Sequence, residues 1–266
     1  MKRRQLLAGF SAGAAVAAGG AYGLQRATAH GDGRHGEDGE HGDGGRRKLA
    51  LVYRGPAACP GCAESVAALL RSARLGLTVA YVGPGEQLPL TAATLAKAEV
   101  YAQPGGNNDV DGTWRHLTGS AAAVRDWVRA GGRYLGFCMG GYLAGDDPGF
   151  AVLPGDTDAY TSTPGASVHS AADTVVAVRW RGRRRHMYFQ DGPYFTLHDG
   201  ARATVLATYG NGRQAAVVAA YGAGRTGVVG PHPEADRSWY ADAGLTNPDG
   251  VRLDLGRDLV RTTLRA

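Results

Sequence analysis

The sequence predicts a doubly wound α/β fold, with an open, mostly parallel sheet and antiparallel hairpins inserted in its second half. Three observations carry this. Short β-rich runs alternate with helical patterns between residues 48 and 137, which is the spacing of βαβ units. Between residues 174 and 229 the β-patterns follow one another with only turn signals between them. Where the two regions meet, a glycine-flanked cysteine closes a strand.

The elements follow in order. Residues 49–53 form a short apolar run stopped by Gly55-Pro56, and 63–73 show helical spacing through Val66, Leu69 and Leu70. Residues 77–82 are β-rich and end at Gly83-Pro84-Gly85. A short helix over 91–98 opens on Thr91, and a brief strand over 100–102 runs into Pro104-Gly105-Gly106. Residues 121–130 set Val124, Trp127 and Val128 on one helix face, with Gly131-Gly132 as the stop. The strand over 134–137 then meets Cys138. Beyond it, β-patterns at 174–180, 186–189, 203–209, 215–221 and 226–229 are joined by Asp191-Gly192, Asn211-Gly212 and Ala223-Gly224, which read as hairpins. A helix over 255–264 closes the fold.

Ahead of this domain, residues 1–29 read as an export signal. Arg3-Arg4 with Leu6-Leu7 resembles a twin-arginine leader, an Ala/Gly-rich uncharged stretch follows, and Ala27-Thr28-Ala29 offers a small-x-small cleavage site. Residues 30–47 are Gly, His and Asp-rich with no large apolar side chain, so they read as a disordered linker. His30, His35 and His41 can hold a metal ion only loosely, and a solvated linker explains them as well. The expected location is outside the cytoplasm, with no stable membrane span once the signal is cleaved. The folded domain is 48–266.

The chain's net charge of +5 is concentrated in that leader. Residues 1–29 hold four basic and no acidic groups, which leaves 25 basic against 24 acidic residues for the remainder. A nearly neutral domain excludes a phosphate-tracking surface, so no nucleic-acid partner is expected. Arg181 to Arg185 reads as an exposed hairpin tip. With 44% hydrophobic residues the chain has material for one good core.

The chemistry gathers at Gly136-Phe137-Cys138-Met139-Gly140-Gly141. A G-x-C-x-G-G between a strand and a helix is a nucleophile elbow with cysteine as the nucleophile. The glycines permit the tight turn, and the Met139 amide becomes an oxyanion donor. A thiol nucleophile needs a base. Gly230-Pro231-His232-Pro233-Glu234 supplies His232, with Glu234 two residues on, the spacing that shares one side of an extended segment. His116, His169, His186 and His198 are isolated and receive no role.

The order elbow cysteine, hairpins, then Tyr221-Gly222-Ala223-Gly224-Arg225 leading to His232-Pro233-Glu234 resembles the class I glutamine amidotransferase-like superfamily, whose fold is flavodoxin-like. Within it, Leu51-Val52-Tyr53-Arg54-Gly55-Pro56, Gln103-Pro104-Gly105-Gly106 and Tyr188-Phe189-Gln190-Asp191-Gly192 most resemble the biotin-protein ligase N-terminal-like (BPL_N) domain family. The resemblance implies Cys138 as nucleophile, His232 as base, Glu234 as the group that orients it, and Gly105 or Gly106 as the second oxyanion amide. Two departures narrow it. Tyr142 stands where glutamine amidotransferases usually carry Gln, which argues against free glutamine as substrate. No Gly-Arg-Gly-rich adenylate loop occurs, so biotin ligation is not implied.

Cys59-Pro60-Gly61-Cys62 opens the first helix at the same sheet edge. A disulfide, a redox-active pair and part of a metal site are the three readings, in that order of weight. Asn107, Asn108, Asp109 and Asp111 either grip a polar substrate or form a solvated turn. Together these readings describe an exported hydrolase or transferase acting on a C–N or related acyl bond of a small-molecule or peptide substrate. It needs no cofactor and no metal. The alternatives are a ligand-binding domain without catalysis, and a thiol redox protein using Cys59 and Cys62.

Overall fold

The computed structural model describes residues 48–265. The expected export signal at 1–29 and linker at 30–47 lie outside the described residues. Eleven strands form one sheet: β1 (Lys48–Tyr53), β2 (Leu77–Val82), β3 (Val100–Gln103), β4 (Arg133–Phe137), β5 (Gly155–Ala159), β6 (Thr174–Trp180), β7 (Arg183–Phe189), β8 (Pro193–Leu197), β9 (Ala203–Tyr209), β10 (Gln214–Tyr221) and β11 (Gly224–Val229). The helices are α1 (Cys62–Ser72), α2 (Ala92–Leu95), α3 (Val110–Arg115), α4 (Ala121–Arg129), α5 (Met139–Tyr142), α6 (Arg237–Asp242) and α7 (Asp254–Leu264).

The sheet runs β2-β1-β3-β4-β11-β10-β9-β6-β7, with β8 pairing both β5 and β10. From β2 to β11 every pairing is parallel, and from β11 to β7 every pairing is antiparallel. β3 and the inner part of β1 are buried on both faces, which is why their sequences are continuous apolar runs. Alternate residues serve opposite layers. Ala50, Val52, Leu135 and Phe137 pack with Val66, Leu69 and Leu70 of α1 and with Leu259 and Val260 of α7. Leu51, Tyr53, Tyr101 and Tyr134 pack with Val124 and Val128 of α4 on the other side. The period-two alternation of the strands thus builds a core on each face.

The basic run forms an exposed hairpin tip from Arg181 to Arg184, and two of its arginines are also anchored. β7 begins at Arg183, so the turn is only Arg181-Gly182. Arg181 donates to Asp258 at 2.7 Å and Arg185 pairs with Asp254 at 2.9 Å. The arginines tie the hairpin to α7 and its N-terminus.

Candidate active site

The site forms where β4 and β11, parallel neighbours, end together. Phe137 and Val229 lie opposite each other in the register, and the Cys138 N–H donates to the Val229 carbonyl at 2.9 Å. The elbow at Cys138 has φ 48° and ψ −104°, a conformation an L side chain rarely adopts. Its glycines are required by close approach. A Cβ on Gly140 would lie 2.0 Å from the Gln103 carbonyl oxygen, and one on Gly136 would lie 2.2 Å from that of Gly140. The Gly141 and Tyr142 amides donate to the Cys138 carbonyl at 2.7 and 3.0 Å. Met139, first residue of α5, holds one of the amides that a helix start leaves without an intrahelical partner.

β11 continues through Gly230-Pro231 to His232, whose N–H donates to the Tyr188 carbonyl at 2.8 Å. His232 is 4% exposed and Glu234 only 1%. The ring Nδ1 and Glu234 Oε1 are 2.8 Å apart, while Glu234 Oε2 is buried with no hydrogen-bond partner. Tyr188 and Trp239 flank the imidazole, with centroids at 6.0 and 5.1 Å. The ring also senses the charge of the Cys138 sulfur. Burial favours a neutral ring, but Cys138 and Glu234 outweigh it and raise His232 to about 10. Residues 94 positions apart therefore meet at one sheet edge. The Cys138 thiol, 7% exposed, also donates to the Gln190 carbonyl at 3.5 Å.

The loop after β3 completes the surroundings. A Cβ on Gly105 would lie 3.0 Å from His232 Cε1, and one on Gly106 would lie 2.8 Å from Met139 Cγ. Gly105, Gly106 and Met139 are thus neighbours of the imidazole and the elbow. Cys59 and Cys62 form a disulfide whose Cα atoms are 5.4 Å apart. In that form neither sulfur is a thiolate ligand, so the metal reading of the pair loses its donors. Among the described residues no group of three or more His, Cys, Asp or Glu side chains is placed to hold a metal ion.

The polar residues after Gly106 serve the turn. Asp109 Oδ1 caps α3 by accepting from the Gly112 amide at 2.8 Å, and Asn107 Oδ1 accepts from the Asp109 amide and the Thr113 hydroxyl. Asn108 is exposed beside them and Asp111 lies in the first turn of α3. Sequence reasoning missed Gln190 and Asp191 as site neighbours. Asp191, at φ 46°, accepts from the Tyr142 hydroxyl through its carbonyl at 2.9 Å and from Thr161 through its carboxylate at 2.7 Å. Their signals were the Asp-Gly turn and the Tyr188 to Gly192 motif, neither of which placed them beside the thiol. It also missed Trp239, which nothing in the sequence linked to His232.

Residues 49–159 match the family model described as biotin-protein ligase, N terminal. The fold is mixed α/β, with a mostly parallel central sheet and antiparallel strands in its second half. PurLQS from Thermotoga maritima superposes with a TM-score of 0.52 at 17% identity, covering 82% of this chain and 98% of that one. A cytoplasmic protein from Salmonella typhimurium LT2 gives 0.50 at 12% identity, covering 82% and 100%. A glutamine amidotransferase from Methylobacillus flagellatus gives 0.46 at 16% identity, covering 74% and 76%. No curated protein matches the chain. The family-model match thus covers β1 to β5, and the His232 segment lies outside it.

Proposed function

We propose that this amidotransferase-like chain is an exported hydrolase or transferase that cleaves a C–N or related acyl bond through a thioester on Cys138. One observation carries the reading: a strained cysteine elbow and a buried His232–Glu234 pair meet at the ends of adjacent parallel strands. His232, with its raised proton affinity, takes the proton of Cys138 before the sulfur attacks the acyl carbon. The amide of Met139 and that of Gly105 or Gly106 stabilise the oxyanion of the tetrahedral intermediate. His232 then returns the proton to the leaving nitrogen, and the C–N bond breaks. Water, or a second acceptor, releases the acyl group. Glu234 holds the ring orientation and the charge it gains.

Alkylation tests this without knowledge of the substrate. Iodoacetamide should label Cys138 faster than a model thiol at neutral pH, and Cys138→Ala should remove the label while leaving the circular dichroism spectrum and melting profile native. Labelling no faster than the model thiol would instead favour a ligand-binding domain.

A further inference from the structure

Cys59 and Cys62 take no part in that mechanism, yet both of their sulfurs lie beside Gly105, a neighbour of His232. The hypothetical Cβ of Gly105 lies 3.4 Å from Cys62 Sγ, 3.7 Å from Cys59 Sγ and 3.0 Å from His232 Cε1. One residue without a side chain is therefore all that separates the disulfide from the imidazole. The contact is tied by the Cys59 N–H, which donates to the Gly105 carbonyl at 2.9 Å. The two sulfurs are not equivalent. Cys59 is half-buried on the loop, whereas Cys62, at 1% exposure, opens the eleven-residue helix α1. On its outer side the loop borders a cavity of about 310 Å³, lined among others by Arg54, Cys59, Pro60 and Glu64.

We propose that Cys59–Cys62 is a thiol-exchange site for low-molecular-weight thiols and dithiols, and that its redox state sets the reactivity of Cys138 through Gly105. The first half stands independently of the acyl-transfer reading, and the second half rests on it. The access pattern fixes the direction of the chemistry. An external thiolate entering the cavity attacks Cys59 Sγ; the S–S bond breaks, and Cys62 leaves as a thiolate at the start of α1, where the helix dipole favours it. A second external thiolate then attacks the outer sulfur of the mixed disulfide. The external pair departs oxidised, and Cys59 is left as a thiolate that takes up a proton. Two electrons pass from the external thiols to the protein pair.

Reduction moves atoms next to the site. Bonded sulfurs sit about 2.05 Å apart, and unbonded heavy atoms settle at roughly 3.5–4 Å. The difference must be absorbed by the cavity on one side or by Gly105 on the other. Cys59 borders the cavity, but the buried Cys62 does not, so the part of the displacement that Cys62 takes falls on the Gly105 backbone and the imidazole behind it. A displacement of about 1 Å in a catalytic group costs up to about a hundredfold in rate.

The experiment uses the full chain, oxidised and then reduced with dithiothreitol, the reductant being removed under anaerobic conditions before reading. Glutathione disulfide applied to Cys62→Ser should leave one glutathionyl group on Cys59 by peptide mass, with one glutathione thiol released. Iodoacetamide should then label Cys138 at least about tenfold more slowly in the reduced protein than in the oxidised. The double variant Cys59→Ser/Cys62→Ser should show the slow rate whatever its redox treatment. Should Cys138 prove unreactive in both states, the acyl-transfer reading fails by itself; the coupling is then read from the His232 ring ¹⁵N titration, which should shift on reduction. A disulfide that excess dithiothreitol leaves closed in the native protein overturns the exchange site. A disulfide that opens with the Cys138 rate and the His232 titration both unchanged overturns the coupling.

Discussion

Glu234→Gln separates the charge of the carboxylate from its shape. The amide keeps an acceptor oxygen within reach of His232 Nδ1, now 2.8 Å from Glu234 Oε1, and its other end replaces an Oε2 that already has no partner. The substitution therefore costs the fold little beyond the charge. His232 is raised to about 10 from an ordinary 6.5. At 1.36 kcal/mol per pH unit, that gap favours the protonated ring by about 5 kcal/mol. Burial acts against it, so Cys138 and Glu234 together supply more than this. A hydrogen bond to a charged partner contributes about 1.5–3 kcal/mol, so neutralising Glu234 should lower the His232 titration by about 1–2 pH units. Ring ¹⁵N shifts of histidine-labelled protein measure it directly, with the resonance assigned by its loss in His232→Asn. The same shift appears in stability. A folded-state value raised above the unfolded one stabilises fully below about pH 6.5, and that stabilisation is lost as pH rises through about 10. The wild-type melting temperature should therefore fall between those limits, and fall less in Glu234→Gln. A wild-type His232 titrating near 6.5, or a midpoint shared by wild type and variant, would refute the charge coupling.

Two further outcomes are expected. Gly140→Ala should destabilise the fold by about 3 kcal/mol in urea unfolding, because its Cβ meets the Gln103 carbonyl and the backbones of β3 and α5 must part; a cost under about 0.5 kcal/mol would mean that the elbow is looser than drawn. N-terminal sequencing of protein collected outside the cytoplasm should begin at or near His30, and an intact Met1 in a soluble cytoplasmic pool would sink the export proposal.

The parallel half of the fold was legible because burial on both faces writes continuous apolar runs, as in β1 and β3. β5 was not. Its Gly155-Asp156-Thr157-Asp158 carries two exposed aspartates and little β-propensity, and it is held by its pairing with β8. β8 was hidden by Pro193, which a strand tolerates at its first residue. The meeting of Cys138 and His232 at one sheet edge was legible because a glycine-flanked turn after one strand and a Gly-Pro-His after another are written in residue types. The burial of Glu234 was not, since it depends on Ala235 and Tyr240 folding down beside Tyr188. Gln190 contacts the thiol through its backbone carbonyl, which every residue possesses, so its identity carried no signal.

The backbone of Cys138 bears on whether the site is built for chemistry. At φ 48° and ψ −104° a side chain is strained and glycine is not. Such strain costs about 1–3 kcal/mol and persists only where the surroundings impose it. Here they do: the Cys138 amide is bound to Val229, its carbonyl accepts from Gly141 and Tyr142, and Gly140 is wedged against Gln103. Comparing Cys138→Gly with Cys138→Ala reads the cost without the thiol. Both lose the sulfur and its packing, and they differ by one methyl group. In an unstrained interior position alanine would be the more stable by about 0.5–1 kcal/mol. At this elbow the order should invert, with Cys138→Gly more stable than Cys138→Ala by about 1 kcal/mol in urea unfolding. An alanine variant as stable as the glycine variant, or more so, would show that the turn stores no strain. If the order does invert, a glycine would suit the fold better than the cysteine the chain holds there, and the strain is tolerated for the sake of the thiol that the turn presents to His232.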